Sequence, residues 1–450
     1  METVLSVKDF GATGDGTTLD TSAIQAGIDA CSEVGGELVF PAGRYISGTL
    51  YLKSHVTIRL TSRAVLQSSP HAEHIDSPYQ CRYHKEHDKS YCFIYGEDLE
   101  NVRLLGPGTI DGAGRFFHQG PEYIEANGYA VPVGLCLKGC RNVLLSDLRL
   151  KDFGSWATTF QLCREIAVRN VRIFNRYSGN NDGLDFDGCS DVRVHGCVID
   201  SDDDSFCLQN SYAEPSENIM VSDCRFHSVC NPIRIGLLSC GDIRNVTVTN
   251  CLLRSFFHCS GIAFMNSEGG IMEDMVFSNI VMEDTPRPIW MVLNRMRCGE
   301  FSPDPLPAIG RLRHIAFQNI RVNCSPEWEQ MLQTGGKGIG RTPLERAFSS
   351  ILIAGTPEQA IEDVSLSDMH VTFPGLGTEE QAARTEVPEV NDLKFPADPR
   401  NFPHALPCYG LYARHVKGLR LRDVSLDVAA GDARPAMFMD HVEDARARDE

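Results

Sequence analysis

Apolar and polar residues alternate with a period of two in short runs along most of the chain, as in Val192-Arg-Val194, Ile219-Met-Val221 and Val246-Thr-Val248. Such alternation marks strands with one buried face, and helical spacing does not fit these runs. A polar or turn residue precedes each run, in Asn101-Val102, Asn142-Val143, Glu165-Ile166, Asp191-Val192, Asn218-Ile219, Asn245-Val246, Asp274-Met275, His314-Ile315, Asp363-Val364 and Gly418-Leu419. Successive apolar starts are separated by 41, 23, 26, 27, 27, 29, 40, 49 and 55 residues. Spacing in the twenties is the signature of a solenoid built coil by coil, with loops or unmarked coils in the longer gaps. Four residues after the starts come Asp147, Asn170, Asp223, Asn250, Asn279, Asn319, Asp368 and Asp423, with Gly106 and Gly196 at the other two. These residue types tolerate left-handed backbone and bond local backbone, so each predicts a turn, and stacked turns predict a side-chain ladder. Cys197, Cys224 and Cys251 follow one place later, 27 residues apart, and are expected to stack as a column of thiols in the core.

The pattern predicts an all-β fold, a right-handed parallel β-helix, as a single domain over residues 1–450. A terminal coil exposes strand edges and core, so a solenoid needs caps. Residues 1–45 supply a candidate N-terminal cap and first coil. Asp20 or Thr21 can N-cap a helix whose Ile24, Gly27, Ile28 and Cys31 recur at three to four residues, ending at Gly35-Gly36 before Glu37–Phe40. Residues 373–409, rich in Pro, Glu and Asp, read as a long loop, and residues 410–450 as the last coils and a C-terminal tail, with the strand pattern resuming at Leu411 to Leu426.

Composition narrows the function classes. The 450 residues are 42% hydrophobic and 23% charged, ordinary for a globular protein with a sizeable core. A formal net charge of −18 repels polyanions, which argues against nucleic acid as a partner. No run of 18 apolar residues suggests a membrane span, and Met1-Glu2-Thr3-Val4 lacks the basic and apolar regions of a signal peptide. The expected location is therefore cytoplasmic, or secreted if a leader has been removed. Seventeen cysteines, an odd number lying mostly inside apolar strand patterns, read as buried free thiols rather than disulfides. The Cys136/Cys140 pair lacks a second pair at zinc-site spacing, and His71, His74, His84 and His87 read as loop histidines, so no metal and no cofactor are expected.

The candidate chemistry lies in Asn180-Asn181-Asp182-Gly183-Leu-Asp185-Phe-Asp187, followed one coil later by Asp202-Asp203-Asp204. Asp182 and Asp204 are 22 residues apart, about one coil, and adjacent parallel strands lie about 4.8 Å apart. Cleavage of a glycosidic bond needs an acid for the leaving oxygen and a base for water or a nucleophile for carbon, roles that paired carboxylates fill. The same cluster also suits a calcium site or a hydrated acidic turn.

At these residues the chain resembles glycoside hydrolase family 28, the polygalacturonase family, over roughly residues 5 to 430. Val7-Lys-Asp-Phe-Gly-Ala-Thr-Gly-Asp-Gly16 and Gly106-Pro-Gly-Thr-Ile-Asp-Gly112 are similar to its early motifs, Asn180-Asn181-Asp182-Gly183 to its Asn-Thr-Asp-Gly, and Asp203-Asp204 to its Asp-Asp pair. The resemblance implies that Asp203 is the general acid, while Asp182 and Asp204 hold and activate the water that inverts the anomeric centre. Two departures bear on substrate. The family's Gly-His-Gly falls on Cys230-Asn231-Pro232, and its Arg-Ile-Lys, which clamps a uronate carboxylate, falls on Ala263-Phe264-Met265. Neither Ala nor Met can replace a charge-assisted clamp, so plain polygalacturonate is not the expected substrate.

Asn180, Asn231, Arg234 and Arg295 are candidate substrate-binding residues, the arginines as substitute cations, although either could be a salt-bridged surface arginine. Trp290 could stack on a sugar ring or pack in the core. The expected partner is a pectin-type or related plant oligosaccharide or polysaccharide, with exo action if the loops around 71–91 and 373–409 close one end of the groove. Two other readings keep the fold: a uronate lyase using Ca²⁺ and a basic residue, for which Arg234 is the one candidate, and a non-catalytic carbohydrate-binding β-helix.

Overall fold

Strand after strand returns to lie parallel to its counterpart one coil earlier, and the chain winds as a right-handed parallel β-helix. The structure, a computed structural model, describes residues 3–78, 91–117, 132–176, 180–255, 260–298, 302–324, 350–396 and 399–448. Two compact units are distinguished, residues 1–203 and 204–450.

In the first unit a coil carries three short strands, as in Val133–Lys138, Arg141–Ser146 and Arg149–Lys151, which pair in register with Thr158–Gln161, Arg164–Arg169 and Arg172–Asn175 of the next coil. Val102, Val143, Ile166 and Val192 occupy successive rungs of one row and are all buried. The 41-residue gap between Val102 and Val143 is therefore one coil with an insertion. Phe160 and Phe186 stack inside at 5.0 Å between centroids.

Helix Thr21–Val34 caps this unit with Ile24, Gly27, Ile28 and Cys31 buried, and stops at Gly35 in the left-handed region. Asp20 occupies the N-cap position, but its carboxylate does not cap the helix. It instead accepts from the Thr13 and Gly14 amides at 2.7 and 2.9 Å, tying the preceding loop to the helix start.

In the second unit the coil after Phe206–Asn210 keeps separate later strands, Ser216–Ser222 and Arg225–Ser228, and from there on the later strands fuse into long ones, Ile243–Ser255, Ile271–Glu283, Arg311–Asn323 and Ile361–Phe373. Val246, Met275, Ile315 and Val364 share one row, so the 40- and 49-residue gaps are also single coils carrying insertions. A first strand per coil remains separate: Phe206–Asn210, Ile233–Ser239, Ser260–Asn266, Arg287–Leu293, Ile351–Ala354 and Leu411–Lys417.

Both series of polar residues flanking the apolar runs adopt left-handed backbone. Asn142, Asp191, Asn245 and Asp274 have φ of 54 to 57°, and Asn170, Asn250, Asn279 and Asp423 have φ of 53 to 57°. Their amides form ladders, Asn279 to Asn250 at 3.2 Å and Asn319 to Asn279 at 2.8 Å in the second unit, Asn142 to Asn101 at 2.6 Å in the first. These side chains satisfy one another at the bends, where regular sheet bonding is interrupted.

The thiol columns exist in each unit. Cys224 and Cys251 are neighbours in the second unit, Cys197 is buried in the first, and Cys140, Cys163 and Cys189 form a further contiguous set that the 27-residue spacing did not reveal. All cysteines among the described residues are unpaired with one another by disulfide, and Cys230, Cys240 and Cys298 are partly exposed.

The segment expected as a long loop at 373–409 holds a short helix, Glu379–Ala383, and then lies as a strap across the first strands of the second unit. Val387, Val390, Phe402 and Leu406 pack with Trp290, Val292, Leu352 and Tyr412 into a core on the outer face of those strands. Strands buried on both faces need continuous apolar sequence, and Ile289-Trp-Met-Val-Leu293 supplies it.

Candidate functional site

The turn before strand Leu184–Asp187 is built by buried amides. Asn181 is wholly buried and donates to the carbonyls of Phe153 and Ser155 and to Asn175 Oδ1, at 2.9, 3.1 and 3.1 Å. Asn175 in turn donates to the Ser155 and Asp182 carbonyls at 2.8 and 2.9 Å. Sequence reasoning gave Asn175 and Asn181 no role. Their signal is a pair of asparagines flanking the Asp182 turn, visible only once the bond pattern is known.

This scaffold places Asp182 and Asp203 around one amide. Asn180 Nδ2 donates to Asp182 Oδ1 at 3.4 Å and to Asp203 Oδ2 at 3.3 Å, so those two oxygens are no more than about 7 Å apart. Asp182 is buried, Asp203 is partly exposed and Asn180 is exposed. The first unit thus brings together three of the expected site residues.

Asp204, the next residue along, begins the second unit and is buried. It accepts from Asn231 twice, from the backbone at 3.2 Å and from Nδ2 at 2.8 Å, and from Arg234 Nε. Arg234 Nη1 also donates to the Gly236 carbonyl at 2.9 Å. Arg234 is consequently not a surface arginine. Its charge is paired inside the protein with a carboxylate, and Asn231 and Arg234 meet Asp204 as donors, as suits an acceptor-only group.

One row of outward positions runs Cys207, Arg234, Ala263, Trp290, Leu352 and Tyr412 on successive rungs. Ala263 therefore lies one rung from Arg234, about 4.8 Å along the stack. Trp290 does not serve as a sugar platform: it is 2% exposed, donates from Nε1 to the Pro396 carbonyl at 3.0 Å, and meets Phe402 edge to face. The strap that covers it could not be anticipated from the local sequence. Arg295 is exposed, but its guanidinium holds the Pro307 and Leu306 carbonyls at 2.8 and 2.7 Å while its amide donates to Asn391, a clamp on two loops rather than a spare cation.

The strand Ile233–Ser239 carries an irregularity beside the Asp204 pair. Leu208 pairs with Ile235 but Asn210 pairs with Ser239, so extra residues bulge from the second strand at 236–238. Gly236 has φ of +94°, and a Cβ there would lie 2.1 Å from the Met265 carbonyl oxygen. Leu237 follows at φ of +76°, a left-handed conformation that costs a branched side chain about 1–2 kcal/mol. The bulge turns Leu237 onto Ala263 and Met265, where Phe395 of the strap also packs.

A group of buried acceptors lies further along: Glu268 accepts from the Ser239 and Cys298 amides at 3.0 and 3.2 Å and from the Ser302 hydroxyl. Burial, reinforced by the Glu268 charge, pushes the Cys298 thiol up to about 12. His71 and His74 are ring neighbours at 5.4 Å, with His74 bonded to Ser69, and His84 and His87 lie outside the described residues.

A family model described as "Glycosyl hydrolases family 28" matches residues 31–365. The chain is 24% identical over 434 residues to the "Exo-poly-alpha-D-galacturonosidase" of Dickeya chrysanthemi, spanning 83% of this chain and 71% of that one. It is 27% identical over 342 residues to a "Polygalacturonase" of Persea americana, spanning 72% and 69% respectively. Among solved structures, an exopolygalacturonase from Thermotoga maritima superposes with a TM-score of 0.70 at 19% identity, covering 95% of this chain and 92% of that one. The family 28 exopolygalacturonase of Yersinia enterocolitica gives 0.72 at 17% identity, covering 99% and 78%. At these identities the structural matches speak to the fold.

Proposed function

The chain belongs to glycosyl hydrolases family 28 and is a glycosidase of the pectin-degrading type, and from that premise we propose that it hydrolyses uncharged or partly neutral pectin-type oligosaccharides with inversion, from a chain end. Asp203 is the general acid that protonates the leaving oxygen. Asp182 and Asp204 accept hydrogen bonds from, and activate, the attacking water. Support for the assignment comes from their surroundings: Asp203 is partly exposed beside the Asn180 amide, whereas Asp204 is paired with Arg234.

The observation that carries the substrate reading is the engagement of Arg234 by Asp204 and the Gly236 carbonyl. In the row that holds Ala263, where the resemblance places the family's Arg, the cation among the described residues is Arg234, and it is already matched by a carboxylate. A free uronate placed there would meet hydrocarbon and a neutralised guanidinium. The strap across the first strands of the second unit supports exo action, as does the name of the Dickeya relative.

The test is hydrolysis of pectic oligosaccharides by the whole chain, with product anomers followed by NMR. Inversion is expected, with Asp203→Asn lowering kcat on the order of 10²–10⁴-fold while binding persists. Retained configuration, or an unsaturated product absorbing in the near ultraviolet, would refute inverting hydrolysis.

A further inference from the structure

We infer that Phe395 and Leu237, seated on Ala263 and Met265 one rung from the Arg234–Asp204 pair, form the wall of a sugar subsite that selects a pyranose whose C5 substituent is uncharged and ends in a methyl group. The inference rests on the glycosidase reading above and specifies what its substrate carries. Ala263 and Met265 are almost wholly buried and make the base, while Leu237 and Phe395 are each partly exposed and make the rim.

Three independent features hold that rim in place. The Phe395 backbone is gripped from both sides, its carbonyl accepting from Asn401 Nδ2 at 3.1 Å and the next carbonyl, of Pro396, from Trp290 Nε1 at 3.0 Å. Phe402 then closes on Trp290 at 5.4 Å. On the opposite side Leu237 is kept in a left-handed conformation by the bulge at 236–238. Backbone held in a sparsely populated region by its surroundings concentrates at binding sites. Side chains fixed by packing and supporting hydrogen bonds are what a selective pocket requires.

The chemistry of the rung follows from its neighbours. Register puts Ala263 beside Arg234 and Met265 beside Gly236. A sugar that reaches Asp204 through this row would have Leu237, Met265 and Phe395 beside it, and the C5 substituent is the group we place against them. A carboxylate there would lose water without gaining a free counter-charge, whereas a methyl group would gain contact with hydrocarbon. Two sources share this chemistry, a methyl-esterified uronosyl unit and a 6-deoxyhexosyl unit.

The experiment compares the whole wild-type chain with Phe395→Ala and Phe395→Leu on three probes: trigalacturonate, its methyl ester, and 4-nitrophenyl α-L-rhamnopyranoside. Wild type is expected to prefer a methyl-bearing probe, and whichever of the two is preferred identifies the source. Phe395→Ala should raise KM for that probe on the order of tenfold with kcat little changed. The preference over trigalacturonate should shrink accordingly, and Phe395→Leu should restore most of the loss.

Binding of the same probes to the Asp203→Asn variant, with and without Phe395→Ala, is measured by calorimetry in parallel. Selective binding that depends on Phe395 without turnover by wild type would sink the hydrolase reading and support the wall. A preference for trigalacturonate, or an equal effect of Phe395→Ala on all probes, would overturn the wall even if hydrolysis is seen.

Discussion

Replacing Arg234 by leucine separates a buried ion pair from its hydrogen-bonded support. The side chains of Arg234 and Asp204 are 7% and 3% exposed, so solvent screens them little. In Arg234→Leu the Asp204 carboxylate keeps the two Asn231 donors at 2.8 and 3.2 Å but loses its counter-charge, and the Gly236 carbonyl loses its donor. Deleting one member of a buried pair costs about 3–5 kcal/mol, because the other is left uncompensated. Asp204→Asn removes that orphaned charge while keeping the shape, so the double variant Arg234→Leu/Asp204→Asn should be less destabilised than the sum of its parts. A coupling energy of about 1–3 kcal/mol is expected for residues in direct contact. Urea unfolding of the four proteins gives the cycle, read from midpoints at unchanged slope. Additivity within about 0.5 kcal/mol would mean that the guanidinium does not neutralise Asp204, and the argument that Arg234 has no charge to offer a uronate would fail with it.

Other expectations address the scaffold. In Asn250→Ala the left-handed residue at φ of 57° should cost about 2–3 kcal/mol, from backbone strain and a lost ladder bond, and Asn250→Gly should recover the backbone part, as thermal unfolding would show. Burial alone would push the Asp432 carboxyl up, but the Arg434 guanidinium with the Arg434 and Gly377 amides overrides it and holds the group below its ordinary value. A depressed carboxyl stabilises fully above the unfolded value near 4 and loses that contribution as pH falls through the folded one, so stability should decline below about pH 4, and Asp432→Asn should flatten that limb. At pH 8 a thiol reagent followed by peptide mapping should leave Cys298 unmodified, although it is partly exposed, because burial and the Glu268 charge push its thiol up to about 12. Rapid labelling of Cys298 would contradict the burial assigned to it.

The coil pattern could be read from the sequence because its determinants are local. Left-handed backbone at Asn142, Asp191 or Asn279 is written into those residues themselves, and a period of two fixes which neighbours face inward. Coil length was less legible: the starts at Val246, Met275, Ile315 and Val364 lie 29, 40 and 49 residues apart yet each step is one rung. A loop leaving and rejoining at the same turn changes the spacing without changing the register. The stack therefore absorbs insertions that break a repeat in sequence.

The site was legible where it depends on a turn and opaque where it depends on the strap. Asn180, Asp182 and Asp203 share one amide because Asn175 and Asn181 brace a single turn, and Asn231 meets Asp204 within one coil step. Trp290 is covered by Pro396 and Phe402, more than 100 residues later, a contact that neither periodicity nor local composition encodes. The strap also bears on the apolar residues at 263 and 265. Phe395 can rest on Ala263 and Met265 because these side chains are apolar; an arginine and a lysine on the same rungs would have to bury their charges beneath the ring or hold the strap away. The apolar pair at 263 and 265 and the seating of the strap are thus one physical arrangement: Ala263→Arg with Met265→Lys should loosen residues 393–396 to proteolysis as well as alter substrate preference, and an unchanged strap would separate the two.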